Sequence, residues 1–112
     1  MSSERTDVLY GTLALLILKT LATADLHGWD IAKRIAIASS DRLTLKQGSL
    51  YPALHRLTRQ GFITSSWRVT ENSRRARYYA LTAAGRRALT SEHTSWERLS
   101  QAVNLIMRMT PG

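Results

Sequence analysis

In the stretch "GSLYPALHRLTRQGFI" (residues 48–63), Leu50, Leu54 and Leu57 recur at i, i+4 and i+7, one face of a helix. The other face carries Tyr51, Pro52, His55, Arg56 and Arg59 and no acid. Downstream, "SRRARYY" places Arg74, Arg75 and Arg77 within four residues. Guanidinium groups are planar forks that match phosphates and guanine edges bidentately. The chemistry these residues can do is recognition of a polyanion.

The charge distribution points the same way. The net charge is +8 over 112 residues, with 13 arginines against three lysines. Residues 42–87 hold ten basic side chains against Glu71 alone, while the rest of the chain nearly balances. A charge serving only solubility would be dispersed; one confined to a single segment implies a polyanionic partner.

Catalysis finds little support. His27, His55 and His93 are scattered, the eight acids form no close pair, and no glycine-rich phosphate loop is present. With no cysteine there is neither a disulfide framework nor a cysteine zinc site. We expect no enzyme activity, no metal and no cofactor. The absence of cysteine fits a reducing cytoplasm. The apolar run from Leu13 to Leu18 continues into Lys19 without a small-residue cleavage site and is too short to span a bilayer. It reads as a buried helix.

The basic segment needs elements to position it. A first helix is expected over about Gly11–Ala24, apolar on nearly all sides, so part of its surface should meet a second subunit. "DLHGW" is a break in which Gly28 permits a tight turn. A second helix, about Trp29–Ala38, would bury Ile31, Ile35 and Ala38. "SSDRLTLKQ" connects it to the third, with Leu43 and Leu45 in a short extended segment. Ser49 is the expected N-cap of the third helix, placing Pro52 in its first turn, and Gly61 ends it in a left-handed conformation. "FITSSWRV" and "RYYALT" flank a polar loop and read as a hairpin. Strand alternation puts Arg77 and Tyr79 on one face of it and Tyr78 and Ala80 on the other. Thr82 then caps a last helix to about Met109, roughly 40 Å long at 1.5 Å per residue.

Three helices, a hairpin and a long helix spell a mostly α fold with a small β-hairpin. It is a winged helix-turn-helix over residues 1–81 plus a C-terminal dimerisation helix over 82–112. Along that last helix, Trp96, Leu99, Val103 and Ile106 alternate steps of three and four, a coiled-coil seam.

The motifs "LHGWDIAKRI", "QGSLYPALHRLTRQGFI" and "SRRARYYALTAAGRRAL" together resemble those of PadR-family transcriptional regulators, in the short form with a single C-terminal helix. The resemblance covers roughly residues 10–90. It implies a dimeric cytoplasmic repressor of stress, detoxification or efflux genes, in many members responsive to small aromatic ligands. Mapped here, the DNA-reading positions are Gln47, Ser49, Tyr51 and His55, together with the wing arginines Arg74, Arg75 and Arg77. Lys46, Pro52, Arg56 and Arg59 complete the expected DNA-binding set, the last two holding the phosphate backbone.

Double-stranded DNA with a pseudo-palindromic operator is the expected partner, and a second copy of the chain the other. The expected dimer interface comprises Leu13, Leu16, Leu89, Trp96, Leu99, Val103 and Ile106. Paired Trp96 side chains could stack on a flat ligand, although an interface role is the simpler one. Trp29 and Trp67 read as packing residues. Two other readings remain open at this point: a winged-helix protein-interaction module, and a non-specific nucleic-acid-binding protein.

Overall fold

The computed structural model describes residues 3–112, with side chains from residue 11 onward. The elements run α1 (Ser3–Thr23), β1 (Leu26–His27), α2 (Gly28–Ala38), α3 (Gln47–Arg59), β2 (Ile63–Val69), β3 (Arg75–Leu81) and α4 (Ala83–Met107). The core is drawn from every layer. Ile17, Leu18 and Leu21 of α1 meet Ile31 and Ile35 of α2, Leu50, Leu54 and Leu57 of α3, and Ile63 and Tyr79 of the sheet. α1 is the hub, touching α2, α3, β3 and α4. α4 makes the molecule elongated, at 64 × 29 × 29 Å.

The three strands form one antiparallel sheet in the order β1-β3-β2. Leu26 pairs with Tyr79 and His27 with Tyr78, while across the hairpin Ser65 pairs with Tyr79 and Trp67 with Arg77. The sequence shows only a break at β1, because two residues are too few to show alternation. The hairpin turns through Glu71, Asn72 and Ser73, with Ser73 left-handed at φ 59°. Thr70 and Arg74 hold its neck by a backbone hydrogen bond of 2.7 Å.

Several boundaries differ from the sequence expectations. α1 begins at Ser3, so Gly11 lies inside it; an interior glycine costs about 0.5–1 kcal/mol, which continuous helix on both sides outweighs. α3 starts at Gln47 with Lys46 as N-cap, not Ser49, because the N–H groups of Ser49 and Leu50 both donate to the Lys46 carbonyl. Pro52 therefore lies inside the helix rather than in its first turn. The hydrogen bond it cannot donate would have fallen at the carbonyl of Gly48, an exposed residue, so no buried acceptor is orphaned. Ala38 is exposed rather than buried, and Leu43 and Leu45 form no strand.

Gly28 is the buried first residue of α2, not a turn. What requires glycine is space: a methyl carbon there would lie 2.9 Å from Cε1 and Oη of Tyr51.

The end of α3 and the start of α4 are tied together. Gly61 takes φ 78° and donates to the Thr58 carbonyl, and Phe62 donates to that of Leu57, a Schellman motif. Thr82 Oγ1 accepts from the Gly85 N–H at 2.9 Å, capping α4, and donates to the Gly61 carbonyl at 2.7 Å. One hydroxyl thus links both helix ends.

Candidate nucleic-acid interface

α3 buries Leu50, Ala53, Leu54 and Leu57. Geometry then leaves Gln47, Ser49, Tyr51, Pro52, His55, Arg56 and Arg59 exposed on its other side. No acid lies in its first turn, and the Lys46 side chain makes no capping hydrogen bond. No acid in the helix's own first turn offsets the positive end of its dipole. Tyr51 is held against α2 by its ring packing over Gly28.

The hairpin adds a second basic edge. Period-two alternation puts Ser65, Trp67, Arg75, Arg77 and Tyr79 on one face. On that face the guanidiniums of Arg75 and Arg77 stand 5.4 and 5.5 Å from the centre of the Trp67 ring. Both distances are within cation–π range. Arg77 Nε also donates to Ser65 Oγ at 3.0 Å. Arg68 belongs to the opposite face, where it pairs with Asp25 at 3.1 Å and lies over Tyr78. Arg68 is thus paired with a carboxylate, whereas the contacts of Arg75 and Arg77 are to neutral groups.

α3 and the hairpin meet along a cleft of about 270 Å³ lined by Tyr51, His55, Thr58, Ser65, Arg77 and Tyr79. Three of the expected residues, Tyr51, His55 and Arg77, thus share one surface although 26 positions separate the first from the last. Tyr79 forms its floor. Burial raises the Tyr79 phenol above its ordinary pKa of about 10, with nearby Tyr51 adding to the rise and Arg77 opposing it. The floor of the cleft is neutral at physiological pH and its rim cationic.

The remaining expected residues are spread over this frame. Gln47 and Ser49 occupy the start of α3, Arg56 and Arg59 its last turn, and Arg74 adjoins the hairpin turn. Leu13, Leu16 and Leu89 are partly buried against the core. Trp96 and Leu99 share a pocket of about 140 Å³ with Gly11, Thr12 and Leu15 of α1. All four seam residues nonetheless stand open, from 43% exposed at Trp96 to 62% at Ile106.

Two tryptophans read from the sequence as packing residues are exposed instead. Trp67 carries the two wing arginines, and Trp29 lies under the Lys33 ammonium at 5.0 Å. The signal for Trp67 was its alternation with Arg68 between Ser66 and Val69, readable only once the β2–β3 register is known. Among the described residues no group of His, Asp and Glu has the makings of a metal site, and no helix is long and apolar enough to cross a membrane.

Comparison with known proteins accords with this geometry. Transcriptional regulator Rv3488 of Mycobacterium tuberculosis is 36% identical over 89 residues, covering 80% of this chain and 79% of its own. A transcriptional regulator from Clostridium thermocellum superposes with a TM-score of 0.79 at 31% identity, over 88% of this chain and 95% of that one. A PadR-like transcription factor from Bacteroides fragilis gives 0.77 at 28% identity, over 94% and 99%. The profile of the transcriptional regulator PadR-like family matches residues 17–91, a span that takes in α2, α3, the whole hairpin and the start of α4. With a basic helix and an arginine-bearing wing set side by side on that span, the chain belongs to the PadR-like family of transcriptional regulators.

Proposed function

We propose that the protein is a homodimeric, sequence-specific DNA-binding repressor of stress, detoxification or transporter genes, acting in the cytoplasm. The observation that carries this reading is the meeting of Tyr51, His55 and Arg77 on one cleft, extended by Arg74 and Arg75 toward the hairpin turn. In this reading α3 enters the major groove. Gln47, Ser49, Tyr51 and His55 contact base edges or phosphates near its start, and Arg56 and Arg59 hold the backbone. A phosphate sits well at this acid-free helix start beside Lys46. The wing arginines follow the adjacent minor groove, where negative potential rewards them.

Dimerisation through α1 and α4 supplies the second half-site. The exposed seam residues Val103 and Ile106 gain cover from a second α4, and Trp96 and Leu99 complete their burial. Two copies then set their recognition helices about 34–36 Å apart, on a pseudo-palindromic operator. A flat aromatic effector stacked on Trp96 requires both protomers, because about 140 Å³ in one chain falls below the roughly 300 Å³ of the smallest ordinary ligand sites.

The test is footprinting on the DNA upstream of the protein's own gene, with sizing chromatography of the same sample. A twofold-symmetric footprint that resists random competitor DNA, from a protein eluting as a dimer, is the expected result. A monomer, or equal protection of every sequence, refutes it. Deletion of the gene should raise transcription from the footprinted promoter; a fall would make the protein an activator.

A further inference from the structure

We infer that the outward face of α2 is a docking surface for an acidic amphipathic helix on another protein. α2 turns Ile31 and Ile35 to the core. On its other side Trp29, Lys33 and Ile37 follow one another at i, i+4 and i+8, a straight row about 12 Å long at 1.5 Å per residue. Trp29 and Ile37 stand 60% and 66% exposed. Between them the Lys33 ammonium lies 5.0 Å from the centre of the Trp29 ring, and its stem is itself apolar. An exposed apolar surface edged by charge marks a site of contact with another molecule. The row shares no residue with the basic cleft between α3 and the hairpin, so both surfaces can be occupied at once.

The shape of the row selects a helix. Side chains spaced four apart form the ridges by which two helices interdigitate, and tryptophan is among the residues that most often anchor a protein contact. Charge then selects the sign of the partner. Lys33 lies in the row and Arg34 beside it, and no salt bridge engages either among the described residues. The one acid of α2, Asp30, is turned to His27, whose Nε2 stands 3.3 Å from its carboxylate. The complement is a helix with leucine or phenylalanine anchors flanked by aspartate or glutamate.

Other occupants fit less well. The end of a second copy's α4 offers exposed Val103, Ile106 and Met107, but residues 97–109 hold Glu97 against Arg98 and Arg108, so it brings cations to cations. An anionic bilayer takes up the broad apolar face of a helix, and α2 has already buried that face in the core. A duplex backbone would meet the Asp30 carboxylate in the first turn of α2.

The test uses the full chain and a fluorescein-labelled heptad peptide as the probe. The peptide carries leucine at a and d, glutamate at e and g, and alanine and glutamine elsewhere; its twin has lysine in place of glutamate. Anisotropy should report saturable binding of the glutamate peptide and none of the lysine peptide. Trp29→Ala and Ile37→Ser should each raise Kd about tenfold or more, as loss of a central anchor does. Reversing both charges, Lys33→Glu with Arg34→Glu, should exchange the preference between the two peptides. Arg98→Gln, which removes a cation from α4, should change nothing. Absence of binding, indifference to Trp29→Ala and Ile37→Ser, or an unchanged preference after charge reversal overturns the inference. So does a Trp29→Ala protein that becomes monomeric, since a second copy would then cover the row. Loss of duplex binding by Trp29→Ala as a dimer, or wild-type binding to phosphatidylglycerol vesicles that Trp29→Ala abolishes, would assign the row to DNA or to a membrane instead. A wild-type protein that binds the peptide but no duplex would sink the DNA-binding reading and leave the docking surface standing.

Discussion

Gly28 of α2 and Tyr51 of α3 share one space: a methyl carbon on the first would lie 2.9 Å from the phenolic oxygen of the second. The contact is with the far end of a side chain, so the ring can move aside without disturbing the backbone. Gly28→Ala should therefore keep stability within about 1 kcal/mol, because alanine's better helix propensity offsets the crowding. Operator affinity should nonetheless drop, since Tyr51 is swung off the surface it shares with His55. Paired thermal melts and DNA titrations check this; full affinity in the stable variant would show that Tyr51's setting does not matter.

Gly85 presents the opposite case. A methyl carbon there would lie 2.0 Å from the Phe62 carbonyl oxygen and 2.6 Å from Leu81 Cδ1. Backbone cannot step aside as a ring does, so α4 must shift away from the turn it is tied to. Gly85→Ala should cost about 3 kcal/mol or more, the upper part of the overpacking range. Urea unfolding measures it, and a loss under 1 kcal/mol would mean that α4 docks more loosely than its capping by Thr82 implies.

These two glycines also show how far the sequence could be read. The helices and their order were legible because Leu50, Leu54 and Leu57 must share a face. The ends marked by Gly61 and Thr82 were legible because each signals through its own residue type. The roles of Gly28 and Gly85 were not, since each depends on a neighbour about 23 residues away in sequence that only the folded chain brings near. The α3 cap was misplaced for a related reason. Ser49 has the right side chain, but the first bonds go to the backbone carbonyl of Lys46, which any residue can supply. The basic surface was legible as composition; the convergence of Tyr51, His55 and Arg77 required the register of the sheet.

Trp67 separates charge from the placement of charge. It is 56% exposed, so Trp67→Ala should leave the fold nearly as stable as before. The guanidiniums of Arg75 and Arg77 would lose the ring that orders them. Operator affinity should fall about five- to thirtyfold per half-site, from loss of two cation–π contacts of roughly 0.5–1 kcal/mol each. The salt dependence should stay unchanged, because no charge is removed. A changed salt slope would instead place Trp67 itself among the groups that set the phosphate contacts.

The Tyr79 phenol gives a pH dependence whose sign is fixed. Its pKa in the fold is raised by burial, so the folded state favours the neutral form. That contribution is complete below about pH 10, the phenol's unfolded value, and is lost as pH climbs through the higher folded value. Tyr79→Phe should flatten the alkaline decline of stability above pH 10. An unaltered decline would mean that the cleft floor is more hydrated than its burial indicates.

The wing arginines predict a slope rather than a single affinity. Each phosphate neutralised on duplex DNA contributes about 0.9 to the steepness of log K against log salt. If Arg74 and Arg75 each meet one phosphate per protomer, the dimer carries four such contacts on its wings. Replacing both by Ala should then flatten the slope by about 3.6 while the dimer stays intact on a sizing column. Six to ten contacts in all would make wild-type binding fall about 10³–10⁵-fold between 50 and 200 mM salt, so the variant's smaller fall is measurable in that window. A slope that does not move when both arginines are gone would take the wing off the DNA and leave α3 to bind alone.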